Sequence, residues 1–189
     1  MPRPFDPNVD QAIATATLEL LSELGFAGMT IEAVAAAAGV GKPAIYRRHP
    51  DKPALVAAVI AAQLPSLTVP DLGDTRAELW QAVERGFPDD GPAYVGLIGG
   101  LMAEHRRHPE LIDAFRRSVL LPRRAVGLAL VSRGQQRGDI RRDIEPVAAV
   151  DLFAGPFLAR VFAGEDTGHA WRQAAFAAWW TLVSESASP

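Results

Sequence analysis

Residues 30–49 read TIEAVAAAAGVGKPAIYRRH, and the fold follows from this stretch. Thr30 can cap a first helix, because its hydroxyl accepts a backbone N–H of the first turn. Gly39 begins a Gly-Val-Gly corner and allows a left-handed backbone without steric cost. Pro43 fits the first turn of a second helix, which Pro50 prevents from continuing. The stretch therefore predicts helix, turn, helix.

The small and apolar residues of this stretch are spaced to pack the two helices together. Ala35 provides the small side chain that a close helix crossing requires, and Val34, Val40 and Ile45 are spaced to form a shared core. Combined with the glycine corner, this is the pattern of a DNA-binding helix-turn-helix. The glycines could instead belong to a phosphate-binding loop, but no strand precedes them and their spacing is incomplete.

The rest of the chain also has the pattern of helices. Few residues are β-branched, and apolar positions recur every three or four residues, so we expect an all-α fold of about nine helices. The expected helices span residues 7–24, 31–38, 42–49, 52–64, 75–87, 92–107, 109–137, 145–164 and 168–185. Pro122 and Pro156 are expected to kink or split the helices that contain them. Residues 65–74 contain two prolines and a glycine and form a connection.

The composition limits the function. The chain has 189 residues, no cysteine and a net charge of −3, which excludes disulfides and thiolate metal sites and argues against non-specific coating of nucleic acid. No run of 18 apolar residues and no signal peptide occur, so we expect a cytoplasmic protein that does not bind a membrane. No enzyme motif is present, and we expect no catalysis, metal or cofactor.

The predicted second helix and the residues just after it carry several cations. The only two lysines, Lys42 and Lys52, lie within one short segment. The same segment contains Arg47, Arg48 and His49, with Asp51 as its only acidic residue. These cations favour a contact with phosphate, although an ordinary solvated helix face is the alternative.

Residues 18–60, LELLSELGFAGMTIEAVAAAAGVGKPAIYRRHPDKPALVAAVI, resemble the N-terminal domain of the TetR family of transcriptional regulators. The match is strongest at Gly25-Phe26, Met29-Thr30-Ile31, the glycine corner, Ile45-Tyr46 and Lys52. The resemblance implies a sequence-specific regulator that binds double-stranded operator DNA. The leading hypothesis is a repressor that a small-molecule effector releases from a palindromic operator. An effector-driven activator and a repressor without a ligand are the alternatives.

The same resemblance assigns the residues that contact DNA. The implied DNA-binding residues are Thr30, Lys42, Pro43, Ala44, Tyr46, Arg47, Arg48, His49 and Lys52. Tyr46 and Lys52 would bind phosphates, and an arginine would suit a guanine. Two positions depart from the family pattern: Ala44 replaces a hydroxyl residue, and His49 replaces an aromatic residue.

Beyond residue 64 the resemblance is to one subtype of the family's C-terminal domain. It is carried by AEHRRHPELIDAFRRSVLLPRR and RGDIRRDIEPVAAVDLFAGPFLAR. It implies a DNA-binding domain over residues 1–64 and a helical ligand-binding and dimerisation domain over residues 65–189. The homodimer would form through the last two helices. The candidate interface residues are Phe157, Val161, Ala175, Ala178, Trp179 and Leu182, although these faces could instead pack inside one chain.

Large side chains in the C-terminal half are candidates to line an effector pocket. They are Trp80, Phe87, Tyr94, Met102, Phe115 and Phe153, for which packing in the core is the alternative. His105 and His108 lack a third ligand in the sequence, so we interpret them as an exposed helix end.

A second class of function stays open from the sequence alone. An all-helical interaction protein could retain the helix-turn-helix without reading DNA. The acidic balance of the N-terminal region outside residues 42–52 favours this alternative.

Overall fold

The computed structural model describes residues 6–64, 67–87 and 99–185. The helices whose bounds lie within these ranges are α1 (Pro7–Gly28), α2 (Ile31–Ala37), α3 (Lys42–Tyr46), α4 (Lys52–Gln63), α5 (Thr75–Gly86), α6 (Pro109–Phe115), α7 (Leu121–Arg137), α8 (Pro146–Phe162) and α9 (His169–Val183). Residues 99–104 are also helical, and a π-helical segment, Arg116–Leu120, joins α6 to α7. The expected all-α fold is confirmed, and the β-type pairing within these described residues is one bridge between Ile140 and Ser184.

Side-chain caps begin several of these helices. Asp6, Thr30, Asp51 and Asp74 each precede a helix, and each accepts a hydrogen bond of 2.8–3.1 Å from a backbone N–H two or three residues further on. Such caps satisfy donors that a helix leaves without intrahelical partners. Because these interactions are local, the starts of these helices can be predicted from the sequence.

Gly25 interrupts α1 instead of ending it. Its φ of 67° lies in the left-handed region, and a short helical turn continues beyond it to Gly28. This turn buries Phe26 and Met29. Among the helices in the described ranges, none is both long and apolar enough to cross a membrane.

The chain forms two compact units. The first contains residues 1–64 together with Gly99–Leu120, and the second contains residues 65–98 and 121–189. The expected boundary at residue 65 places residues 99–120 in the C-terminal domain, whereas the structure places them with the N-terminal helices. We call these the N-terminal unit and the C-terminal unit.

Apolar packing explains why residues 99–120 join the N-terminal unit. Leu111, Phe115 and Val119 follow one another at helical spacing, and all are buried. They lie on α6 and the π-helical segment, both of which pack on α4. On α4, Leu55 and Val56 are buried as well. The burial of these side chains holds the segment to the N-terminal helices.

The C-terminal unit has its own core. α5 packs on α7, α7 packs on α8, and α9 packs on both α5 and α8. Leu79, Val131, Phe176 and Trp179 belong to one buried cluster. Gly134 lets α7 approach α5 closely, because a Cβ there would lie 2.6 Å from Cγ2 of Thr75.

The two prolines within predicted helices have different outcomes. The long helix expected over residues 109–137 is divided by the π-helical segment, which ends just before Leu121-Pro122. Pro156 lies inside α8, which continues on both sides of it. A proline near the helix start removes few hydrogen bonds, whereas one in the interior removes an intrahelical bond.

Glu78 is a buried carboxylate in the C-terminal unit. Its side chain accepts hydrogen bonds from the backbone N–H of Leu72 (2.7 Å), from Arg133 (2.5 Å) and from Arg137 (3.1 Å). Burial alone would raise the pKa of Glu78. The hydrogen bond from Leu72 and those from the two guanidiniums outweigh burial, so the pKa of this carboxyl lies below its ordinary value.

Candidate DNA-binding surface

The corner between α2 and α3 has the geometry that its glycine predicts. Gly39 has a φ of 65°, and the Val40 N–H donates to the carbonyl of Ala35 at 2.9 Å. Val34 and Ile45 are fully buried on either side of the corner. Because buried contacts fix both helices, the direction of α3 relative to α2 is set by the fold.

The exposed side of α3 carries the candidate DNA-binding residues. Lys42, Pro43 and Tyr46 are exposed, and Ala44 is partly buried. The helix is shorter than expected, because it ends at Tyr46 instead of residue 49. The next three residues, Arg47, Arg48 and His49, form a tight turn, with N–H bonds back to Pro43 and Ile45.

Arg48 points away from this exposed side. Its guanidinium is ion-paired with Asp10 of α1 and donates to the carbonyl of Ala44 at 3.0 Å, and its side chain is 9% exposed. The expectation that Arg48 faces bases or the sugar-phosphate backbone therefore does not match its position. Arg48 instead holds the end of α3 against α1.

Lys52 also differs from its expected position. Its ammonium donates to the carbonyls of Phe26 (2.8 Å) and Met29 (3.0 Å) and lies 4.2 Å from the centre of the Phe26 ring. A phosphate bound by Lys52 would have to share its ammonium with these two carbonyls. In the structure Lys52 stabilises the junction between α1 and α4.

Two further expected contact residues have internal roles. The Thr30 hydroxyl accepts the N–H of Ala33 at 3.1 Å, so it caps α2. His49 is half-buried beside a groove lined by Ile13 and Val59, and burial lowers the pKa of its imidazole. Asp10 opposes that change and Arg48 adds to it.

Lys42 is exposed and forms an ion pair across the helix-turn-helix corner. Its ammonium lies 2.8 Å from Oε1 of Glu32, the second residue of α2. The hydrogen bond from Lys42 lowers the pKa of Glu32, and the same bond raises the pKa of Lys42. Both partners remain accessible to solvent.

Arg47 differs from the other cations of this surface. Its side chain is exposed and makes no hydrogen bond or ion pair with any residue that the structure describes. Lys42, Arg48 and Lys52 would each have to give up or share an internal partner to contact DNA. Arg47 would not. Arg47 is therefore the leading candidate for a base contact.

The acidic partners Asp10 and Glu32 were not anticipated from the sequence. Asp10 precedes Arg48 by 38 residues, a separation that no local pattern reports. Glu32 precedes Lys42 by ten residues, and only the direction of the corner brings their side chains together. The pair of Glu32 and Lys42 could have been predicted only from the geometry of a helix-turn-helix.

Comparison with known proteins agrees with this geometry. The family described as "Bacterial regulatory proteins, tetR family" matches residues 13–59, and "Tetracyclin repressor-like, C-terminal domain" matches residues 69–178. The second match covers more than half of the chain. The protein belongs to the TetR family.

Relatives of this TetR-family protein carry the same description. An uncharacterized HTH-type transcriptional regulator of Mycobacterium tuberculosis is 31% identical over 160 residues, which cover 84% of this chain and 78% of the relative. This chain is accordingly a helix-turn-helix transcriptional regulator.

Solved structures show the same fold. The TetR family transcription regulator SCO0332 is 24% identical, with a TM-score of 0.64 over 92% of this chain and 97% of that one. The flavonoid-responsive regulator FrrA is 21% identical, with a TM-score of 0.64 over 96% of this chain and 100% of that one.

The candidate pocket residues of this TetR-family regulator do not form one group. Trp80, Phe87 and Phe153 lie in the C-terminal unit, where their rings contact other aromatic rings at centroid distances of 4.2–6.3 Å. Phe115 is buried in the N-terminal unit, and Met102 is exposed. Tyr94 lies outside the described residues. The structure thus brings together three of the six.

The candidate dimer residues divide in a similar way. Phe157, Val161 and Trp179 are buried within the C-terminal unit of a single chain, and the Trp179 indole donates to the carbonyl of Ala149 at 2.9 Å. Their burial favours the alternative that these side chains pack inside one chain. Ala178 and Leu182 are exposed, and Ala175 is partly buried. The sequence pattern did not show which face of each helix is exposed to solvent.

Proposed function

We infer that this TetR-family regulator is a homodimeric repressor that binds a palindromic operator and releases it when a small molecule occupies the C-terminal unit. The observation that carries the proposal is the exposed side of α3. Tyr46 and the following residue, Arg47, are exposed there, and the helix is fixed by the buried packing around Gly39. A rigid helix with an accessible arginine suits the major groove.

Arg47 is assigned to a base and the neighbouring polar groups to the DNA backbone. A guanidinium makes two parallel hydrogen bonds to O6 and N7 of guanine, so a guanine in each half-site is favoured. The Tyr46 hydroxyl and the Lys42 ammonium are exposed beside it and suit phosphate oxygens. Contacts of the second kind position the protein without reading sequence.

Two copies of α3 are needed to read a palindrome, since its half-sites lie about 34 Å apart. An apolar face on α8 and α9 suits the required homodimer. Leu152, Phe162 and Leu182 are 54%, 60% and 60% exposed, which is unusual for large apolar side chains. We call this surface the dimer face. It consists of Ala148, Leu152, Gly155, Ala159 and Phe162 on α8, and Ala174, Ala177, Ala178 and Leu182 on α9.

The dimer face is suited to contact between two identical copies. Its members on α8 recur every three or four residues, and Ala174, Ala178 and Leu182 do so on α9 with Ala177 beside them, so they follow one side of each helix. None of them is charged, and many are small, which permits close helix packing. A self-complementary surface of this type favours a symmetric pair.

The effector is assigned to the aromatic interior of the C-terminal unit. Trp80, Phe87 and Phe153 lie there with Phe176, and an apolar ligand would contact their rings. The structural relative FrrA is described as flavonoid-responsive, which supports an aromatic ligand for this fold. The effector must favour a conformation that does not bind DNA, because a ligand that binds both conformations equally shifts nothing.

The experiment begins with selection of genomic DNA fragments by the purified protein, followed by titration of the selected operator over a series of salt concentrations. Replacing Arg47 with alanine is expected to lower operator affinity by about 1–3 kcal/mol, or about 5- to 150-fold, and to relax the sequence preference at one base pair. If the substitution lowers the affinity equally for all DNA sequences, Arg47 contacts a phosphate instead of a base.

Arg106→Ala is the matched control, because Arg106 is an exposed arginine of the N-terminal unit outside the helix-turn-helix. It is expected to leave operator affinity unchanged. Equal affinities for wild type, Arg47→Ala and Arg106→Ala, with no dependence on salt, would contradict DNA reading. That result would favour the interaction protein without DNA reading.

A further inference from the structure

Glu32 and Lys42 connect the two helices of the helix-turn-helix through their side chains. The ammonium and carboxylate are 2.8 Å apart, and the two side chains are 64% and 50% exposed for Glu32 and Lys42. The hydrogen bond moves the pKa of each partner in the direction that favours its charged form. The ion pair is thus present at neutral pH and lies at the surface where phosphate would bind.

The charge balance of the helices around this ion pair limits the number of cations that DNA could contact. Residues 6–64 contain four lysines and arginines but six aspartates and glutamates, so few cations are available to DNA. Arg48 is held by Asp10, and Lys52 is held by the carbonyls at the end of α1. Lys42 differs from both, because its own side chain is exposed, whereas those of Arg48 and Lys52 are held within the fold.

A phosphate and the Glu32 carboxylate compete for the same ammonium. When Lys42 binds phosphate, it must give up its hydrogen bond to Glu32 or share it. The released carboxylate then lies beside the anionic DNA backbone without its counter-charge. Both effects oppose binding to DNA of any sequence, because they involve phosphate and not bases.

We propose that Glu32 is an internal competitor for DNA phosphate, which limits the sequence-independent part of DNA affinity by occupying Lys42. This inference rests on the proposed DNA-binding function. An acidic residue, Glu32, thereby takes part in setting the affinity for DNA. Arg47 then provides recognition while Glu32 restrains non-specific attraction.

The test measures Glu32→Gln on the selected operator and on unrelated DNA of equal length. One added phosphate contact steepens the slope of log affinity against log salt by about 0.9 and raises affinity about eightfold at about 0.1 M salt. We expect Glu32→Gln to show both changes on both DNAs. Glu19→Gln is the matched control, since Glu19 is exposed on α1 and makes the same change in net charge. It is expected to produce a smaller gain and no change in slope.

A double variant tests whether the effect acts through Lys42. In a Lys42→Gln background, Glu32→Gln is expected to give no steeper salt slope, because no ammonium is released. A slope that steepens equally with and without Lys42, or an unchanged slope in Glu32→Gln, overturns the proposal. Thermal unfolding of each variant controls for loss of structure, and a surface ion pair contributes little to it.

The two proposals fail in different ways. If Arg47→Ala weakens operator binding while Glu32→Gln leaves affinity and slope unchanged, DNA reading stands and the role of Glu32 is wrong. If wild type and all variants fail to bind any DNA, both proposals are overturned.

Discussion

Replacing Glu78 with alanine is expected to lower the free energy of unfolding by about 1–3 kcal/mol, because the donors that its buried carboxylate satisfies lose their acceptor. Glu78 is fully buried, and Arg133 and Arg137 both donate to its carboxylate. It also accepts the N–H of Leu72, so the segment before α5 loses an anchor. Urea unfolding followed by tryptophan fluorescence measures the change, since Trp80 and Trp179 lie in the same unit.

Glu84→Ala provides the matched control for this prediction. Glu84 lies on the same helix, but its side chain is 40% exposed, and its partner is the exposed imidazole of His169 at 3.3 Å. We expect a change of less than about 0.5 kcal/mol, as is usual for surface substitutions. Equal destabilisation by the two variants would show that the buried ion pairs of Glu78 are not the cause.

The contribution of Glu78 should also depend on pH. Because folding lowers the pKa of this carboxyl, its stabilising effect is complete above the ordinary value of 4.5 and is lost as pH falls through the lower folded value. The difference in unfolding free energy between wild type and Glu78→Ala should stay constant down to about pH 4.5 and shrink below it. A difference that grows on acidification would contradict this assignment.

Replacing Leu152 with glutamate is expected to separate the homodimer and lower operator affinity by about 10²- to 10⁴-fold, because the two recognition helices then bind as independent molecules. Leu152 is exposed on the dimer face, so the substitution places a charge where two copies are proposed to meet, without disturbing the core of either. Sedimentation velocity measures the oligomeric state, and operator titration measures the affinity.

Leu72→Glu is the control for this variant, since Leu72 is also an exposed leucine of the C-terminal unit but lies outside α8 and α9. It is expected to remain dimeric. Trp179→Glu would not serve the same purpose, because Trp179 is buried and a charge there would unfold the unit. A dimer that persists in Leu152→Glu would place the interface on another surface.

The parts of the fold that sequence predicted well depend on interactions between near neighbours. Asp51 and Asp74 cap helices through N–H groups three residues away, and Gly39 turns the chain within one corner. The burial of Val34 and Ile45 follows from the same short stretch. Local chemistry of this type can be recognised without knowing where the rest of the chain lies.

The DNA-binding candidates with internal partners owe them to segments that are distant in the sequence. Arg48 looks like a DNA contact until Asp10 is placed beside it, and Lys52 does so until the carbonyls at the end of α1 are placed. The faces of α8 and α9 were ambiguous for another reason. Both helices carry apolar residues on more than one side, so periodicity could not show that Trp179 is buried while Leu182 is exposed.

The position of residues 99–120 has a consequence for synthesis of the protein. When α4 leaves the ribosome, the residues that cover its apolar side, on α6 and the π-helical segment, have not yet been made. Leu55 and Val56 would stay accessible to chaperones and to other nascent chains until translation has passed Leu120. The N-terminal unit, which begins the chain, is therefore completed only after most of the message has been read.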